Sequence, residues 1–157
     1  MDWLAILTLL AALGSGLMAG LFFAFSTFIM QALGKRPASV GIAAMQSINT
    51  TILNPIFFAL FFGTALLSLV LGALSLLGWG EAGAAWRLAG ALLYLVGAIG
   101  VTMQFNVPLN NRLAEVAPDS PEGATLWSHY LKVWTAWNHP RTIGCLGACG
   151  SFILGMP

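Results

Sequence analysis

The sequence predicts an all-α protein, a four-helix transmembrane bundle, and three observations carry that expectation. The 157 residues are 59% hydrophobic and only 7% charged, whereas a soluble domain carries about 25% charged residues. The charges are also clustered: after Asp2 none occurs until Lys35 and Arg36, and none again until Glu81. The uncharged gaps exceed the roughly 18 residues that mark a bilayer-spanning helix. The length fits a single integral membrane domain over 1–157 and leaves no room for a separate soluble one. The lipid bilayer is therefore the first expected partner.

The first span is expected over about 3–33. At 1.5 Å per residue such a helix runs roughly 46 Å, against a hydrocarbon core about 30 Å thick. It therefore tilts, or its "FAFSTFIMQ" end projects into the headgroups. It lacks a basic leader, so it reads as a permanent span and not as a cleaved signal. The second span is expected over about 52–77, with Asn54-Pro55 placing a proline in the first turn, where a missing N–H costs little. The third covers about 86–106 and is closed by Pro108. The fourth, about 127–155, reaches spanning length only if the polar stretch before Pro140 continues into "TIGCLGACGSFILGM"; Pro140 then kinks the helix or begins it.

Loops follow by subtraction: 34–51, 78–85 and 107–126. The first and third share a membrane face with Lys132 and Arg141, so five basic residues stand against Arg87 alone. The positive-inside rule puts those two loops in the cytoplasm and both termini outside, in the cell (inner) membrane.

The uncharged polar side chains gather on that same face. Ser26, Thr27 and Gln31 end the first span, while Gln46, Asn49, Thr50, Thr51 and Asn54 lead into the second. Gln104, Asn106, Asn110 and Asn111 end the third, and His129 through Arg141 begin the fourth. The opposite ends hold little comparable: Trp79, Trp86, Glu81 and small residues. Groups kept only for solubility would be spread over both faces, so the asymmetry points to a pocket at the cytoplasmic surface. On a helix, Tyr130, Trp134, Trp137, Asn138 and Arg141 fall on one stripe at steps of three and four. Buried amides and an arginine near hydrocarbon are costly unless paired. They either hold the bundle together or converge on a ligand, with Trp134 and Trp137 as flat walls for a small planar aromatic.

Several classes of function are excluded. His129 and His139 are the only histidines; both lie on one segment, so they cannot clasp a haem iron from opposite sides, and a metal or haem centre, the disfavoured alternative, would have to be assembled across subunits. Cys145 and Cys149, one turn apart, read as a packing face beside small residues, like Gly16 and Gly20. No acidic residue lies inside a span, which argues against a proton-coupled carrier. No phosphate loop or nucleophile elbow occurs, and a net charge of +1 gives no case for nucleic acid. The Gly/Ala/Ser faces on the first and fourth spans permit a homo-oligomer.

Four stretches, "GLMAGLFFAFSTFIM" (16–30), "MQSINTTILNPIF" (45–57), "FNVPLNNRLA" (105–114) and "WTAWNHPRT" (134–142), together resemble the DUF1772 membrane proteins, the family that includes the anthrone oxygenases. The resemblance implies a four-helix membrane bundle. For its characterised branch it also implies oxygenation of an anthrone to an anthraquinone by O2 as co-substrate, with no bound metal or flavin. By position, the family's polar pattern falls on Asn49, Asn54, Asn106, Asn110, Trp134, Asn138 and Arg141. The implied chemistry is removal of an acidic methylene proton, after which the carbanion passes an electron to O2. It needs a base, an oxyanion stabiliser and a dry aromatic slot. His139, or else His129, is the expected base, since histidine titrates near neutral pH. Arg141 and Asn138 are expected beside it as catalytic groups, and Asn49, Asn54, Asn106, Asn110, Tyr130, Trp134, Trp137 and Phe25 as substrate-binding ones. The alternative is a non-catalytic membrane protein that binds a lipid or quinone or assists a partner.

Overall fold

The computed structural model describes residues 2–157, which are helical with no strand among them. Five helices follow in order: α1 (Trp3–Gly34), α2 (Ala38–Thr51), α3 (Pro55–Leu77), α4 (Ala84–Ala114) and α5 (Pro121–Leu154). Three of them, α1, α3 and α4, are long and apolar enough to cross a membrane. Their outward faces carry large apolar side chains such as Leu17, Leu66 and Val96, while Thr8, Ser15, Thr64, Ser68 and Ser75 are buried. That inversion of the soluble pattern suits lipid, where small residues let helices approach and hydroxyls find backbone acceptors. Ser68 and Ser75 donate to the carbonyls one turn back, of Thr64 and Leu71, at 2.8 and 2.7 Å.

The fourth expected span corresponds to α5. It is long enough, but Glu122, His129, Lys132 and Arg141 in its first two thirds keep it out of the apolar class. The helix continues through Pro140, so the proline does not begin it. Its ring removes the N–H that would have reached the carbonyl one turn back.

Three further expectations are corrected. The segment 34–51 is not a loop: Gly41, Ile42 and Met45 form the buried face of α2, an apolar stripe with period three to four. Pro108 does not close the third span. Wide, π-type turns at 93–100 and 102–106 shift the hydrogen-bond register, Val107 N–H reaching back to the Thr102 carbonyl, and the helix continues to Ala114. The connection after it shrinks to 115–120. There the Gln46 amide donates to the Leu113 and Val116 carbonyls at 2.8 and 3.0 Å, tying α2 to the end of α4.

Helix α5 lies antiparallel against α1, with Leu131 beside Gly34, Ser26 bonded to Thr142, and Gly16 near the Cys149 sulfur. Loops 35–37 and 115–120 therefore share one end of the bundle, and the termini share the other. Helices α4 and α5 cross glycine on glycine: a Cβ on Gly97 would stand 2.9 Å from the Gly144 Cα. At the terminal end, Arg87 is buried. Its guanidinium donates to the Ala82 and Gly155 carbonyls at 3.1 and 2.9 Å and lies 3.8 Å from Glu81. The end that the sequence left empty is thus clasped by one buried cation. Gly83, at φ 76°, makes the turn the clasp needs, a conformation favouring glycine.

Candidate functional site

A hollow of about 100 Å³ lies in the half of the bundle nearer loops 35–37 and 115–120. Helix α1 contributes Leu21, Phe22 and Phe25; α2 contributes Met45, Ile48 and Asn49. The α2–α3 corner adds Ile52, Leu53 and Phe57, α4 adds Thr102, Asn106, Val107 and Asn110, and α5 adds Trp134 and Arg141. Arg141 is the only ionisable side chain among them. An outer groove shares Leu21, Phe25, Ile48 and Ile52 with it and continues to Ser47, Thr51 and Asn54.

Arg141 organises one wall. Its guanidinium carbon lies 3.8 Å above the Phe22 ring centre and 5.6 Å from that of Trp134, a cation–π arrangement. One nitrogen donates to Asn138 Oδ1 at 3.0 Å, and Nε is buried without a partner. Among the described residues the only ion pair is Arg87–Glu81, so no carboxylate neutralises Arg141.

Asn138, 0% exposed, fixes that wall from behind. Its amide nitrogen donates to the Phe22 carbonyl and to Ser26 Oγ, both at 2.7 Å. Ser26 also shares a 3.1 Å bond with Thr142. The Phe22 carbonyl also accepts from the Phe25 N–H where the wide turn at 25–29 begins, so Asn138 takes a second bond to the same oxygen.

A second network holds the aromatic wall. Asn110 Oδ1 accepts from Tyr130 Oη and from Trp134 Nε1, both at 2.8 Å. The Asn49 amide approaches the same phenol at 3.5 Å. Since indole N–H only donates, the Asn110 oxygen must face it, and among the described residues the Asn110 NH2 has no protein partner. Asn106, 1% exposed, has the opposite orientation: Nδ2 donates to the Trp134 carbonyl at 3.2 Å, and Oδ1 is buried without a partner. Thr102 Oγ1, one turn earlier on α4, is likewise buried and unpartnered.

Of the residues expected from sequence, Phe25, Asn49, Asn106, Asn110, Trp134 and Arg141 line the hollow, with Tyr130 and Asn138 directly behind it. The others are elsewhere. His139 is exposed and lines a separate groove with Gln31, Gly34 and Thr135. His129 borders another, with Arg112, Glu115 and Glu122. The expected grouping of a histidine with Arg141 is therefore corrected: one residue's separation from Asn138 turns His139 by about 100° around α5. Trp137 stacks on Phe105 at 3.5 Å and 2°, an α4–α5 packing contact. Asn54 caps α3, its Oδ1 accepting from the Ile56 and Phe57 N–H groups at 3.1 and 3.0 Å, the usual work of an asparagine before a first-turn proline. Phe22 and Thr102 were missed. Each lies one turn from a residue that was named, Phe22 from Ser26 and Thr102 from Asn106, and helical spacing was the available signal.

A family model described as anthrone oxygenase matches residues 57–151. No curated protein and no solved structure matches the chain.

Proposed function

Because this chain belongs to the anthrone oxygenase family, we propose that it is a membrane oxygenase that takes a flat, lipophilic aromatic or quinol-like substrate into the hollow and oxidises it with O2. The observation carrying the reading is Arg141, a buried cation with no acidic partner, set against aromatic faces in an otherwise apolar and amide-lined cavity. A buried unpaired charge is costly in lipid surroundings. A substrate that becomes an oxyanion supplies the missing counter-charge, and in a site of low dielectric that attraction is strong.

In the proposed reaction the substrate methylene loses a proton, and the resulting enolate is stabilised by Arg141. The carbanion passes one electron to O2, and the two radicals combine into a C–O bond. The peroxide anion takes a proton back from water or from the substrate's phenol, and the hydroperoxide then loses water to leave a carbonyl, one oxygen atom ending in product and the other in water. The electrons come from the substrate, so O2 is the only co-substrate and the scheme calls on no metal or flavin. No histidine lines the hollow, so the protein acts by favouring the anion, and the proton leaves to water or to the substrate's own phenolate. Trp134, Phe22 and Phe25 would wall the ring system, and Asn138 would position the guanidinium. At about 100 Å³ the hollow is below the roughly 300 Å³ of a typical ligand site. Entry therefore requires the wall shared with the outer groove, Leu21, Phe25, Ile48 and Ile52, to yield.

In this reading α5 is the fourth span of a four-helix transmembrane bundle. Its polar stripe turns inward, and Ile143, Leu146 and Ile153 face lipid. Loops 35–37 and 115–120 face the cytoplasm, following Lys35, Arg36, Arg112 and Lys132 at that end of the bundle.

Purified protein in detergent should consume O2 with an anthrone, and Arg141→Ala should abolish that uptake, while Arg141→Lys keeps a fraction because the charge survives without the planar fork. Equal turnover by Arg141→Ala would remove the assigned role. Uptake no faster than the blank would favour the second reading, a non-catalytic lipid or quinone binder, which the lack of an ionisable base at the hollow supports.

A further inference from the structure

Resting on the reading of the hollow as a ligand site, we infer that Asn106 makes it selective for a ligand bringing a hydroxyl donor, and so for a phenol or quinol over the corresponding ether or quinone. The amide orientations carry this. Asn106 spends its NH2 on the Trp134 carbonyl, so only an oxygen remains, and that oxygen has no protein donor. Asn110 spends its oxygen on Tyr130 and Trp134, so only an NH2 remains. Arg141 Nε is also buried and unpartnered, and all three side chains line the hollow, so once the wall yields to a ligand they offer it donors from Arg141 and Asn110 and an acceptor from Asn106.

A ligand that complements this wall carries an acceptor or anionic oxygen for Arg141 and a hydroxyl for Asn106. An ionised fatty acid or a quinone has acceptors only. Either would leave Asn106 Oδ1 buried and unpaired, the expensive case for a polar group in an apolar site. Sites built to bond a hydroxyl reject analogues lacking it more strongly than apolar pockets reject a change of size. The same asymmetry lowers affinity for a quinone product and so favours its departure.

The test uses 2-naphthol, 2-methoxynaphthalene and 1,4-naphthoquinone, titrated into the intact protein in micelles without O2 and followed by tryptophan fluorescence. Affinities are corrected for partition into empty micelles. Wild type should bind 2-naphthol about tenfold or more tightly than its methyl ether or the quinone, the scale of one buried unsatisfied group. In Asn106→Leu that preference should collapse, while Thr102→Val should keep most of it. No preference in wild type, or a preference that survives in Asn106→Leu, overturns the inference. The wild-type comparison holds even if the variant fails to fold. Binding of none of the three probes would instead overturn the hollow as an aromatic site, a distinct failure from binding all three alike.

Discussion

His139→Ala should leave O2 uptake within about twofold of wild type, as for substitutions on an exposed surface, because that imidazole lies in a groove apart from the hollow. A loss matching that of Arg141→Ala would return the histidine to the chemistry. The neighbouring positions show how sequence spacing succeeded and where it stopped. Tyr130, Trp134, Asn138 and Arg141 recur at steps of three and four, and all four are buried on the face that the hollow occupies. Trp137 fits the same spacing, yet it sits at the stripe's edge, where a neighbouring helix decides its partner, and Phe105 claims it. Asn54 was legible as a polar residue near the cluster, but the proline behind it already marked a cap. Which atom of each asparagine remains free was not legible at all, since that depends on acceptors and donors supplied by other helices.

Gly97→Val should cost about 1–3 kcal/mol or more, the range for forcing atoms into a packed contact, because its methyls would meet the Gly144 backbone where α4 crosses α5. Thermal unfolding in detergent reads this directly, and a wild-type midpoint would mean that the two helices can separate freely at that crossing. The helices themselves were largely legible, because uncharged runs between charge clusters leave few other solutions. The failures have a common cause. Subtraction made a loop of 34–51 because its polar side chains break the hydropathy, although Gly41, Ile42 and Met45 already had helical period. Pro108 reads as a terminator, and Pro140 as a kink or a start, because the effect of proline on isolated helices is strong. In this fold, wide turns before Pro108 change the register, and α5 continues through Pro140.

The proposed orientation puts loops 35–37 and 115–120 on the cytoplasmic side. With Lys35→Cys and Glu81→Cys made separately, an impermeant maleimide applied to spheroplasts should label the second and spare the first, Cys145 and Cys149 being shielded to differing degrees inside α5. The reverse pattern would invert the protein in its membrane. The buried Arg87 clasp was invisible to sequence reading, because a lone cation at a helix start looks like a solvated charge until Gly155 is brought to it by the fold. A further consequence follows from the wall that the hollow shares with the outer groove. If that wall is the doorway, ligands arrive from the surrounding amphiphile and not from water. The route shows in rates and not in equilibrium affinity, because a ligand at equilibrium has one chemical potential in micelle and water. At a fixed free aqueous concentration, the observed association rate should rise with the ligand's partition coefficient into the micelle, whereas a doorway on the aqueous side would follow the free concentration alone.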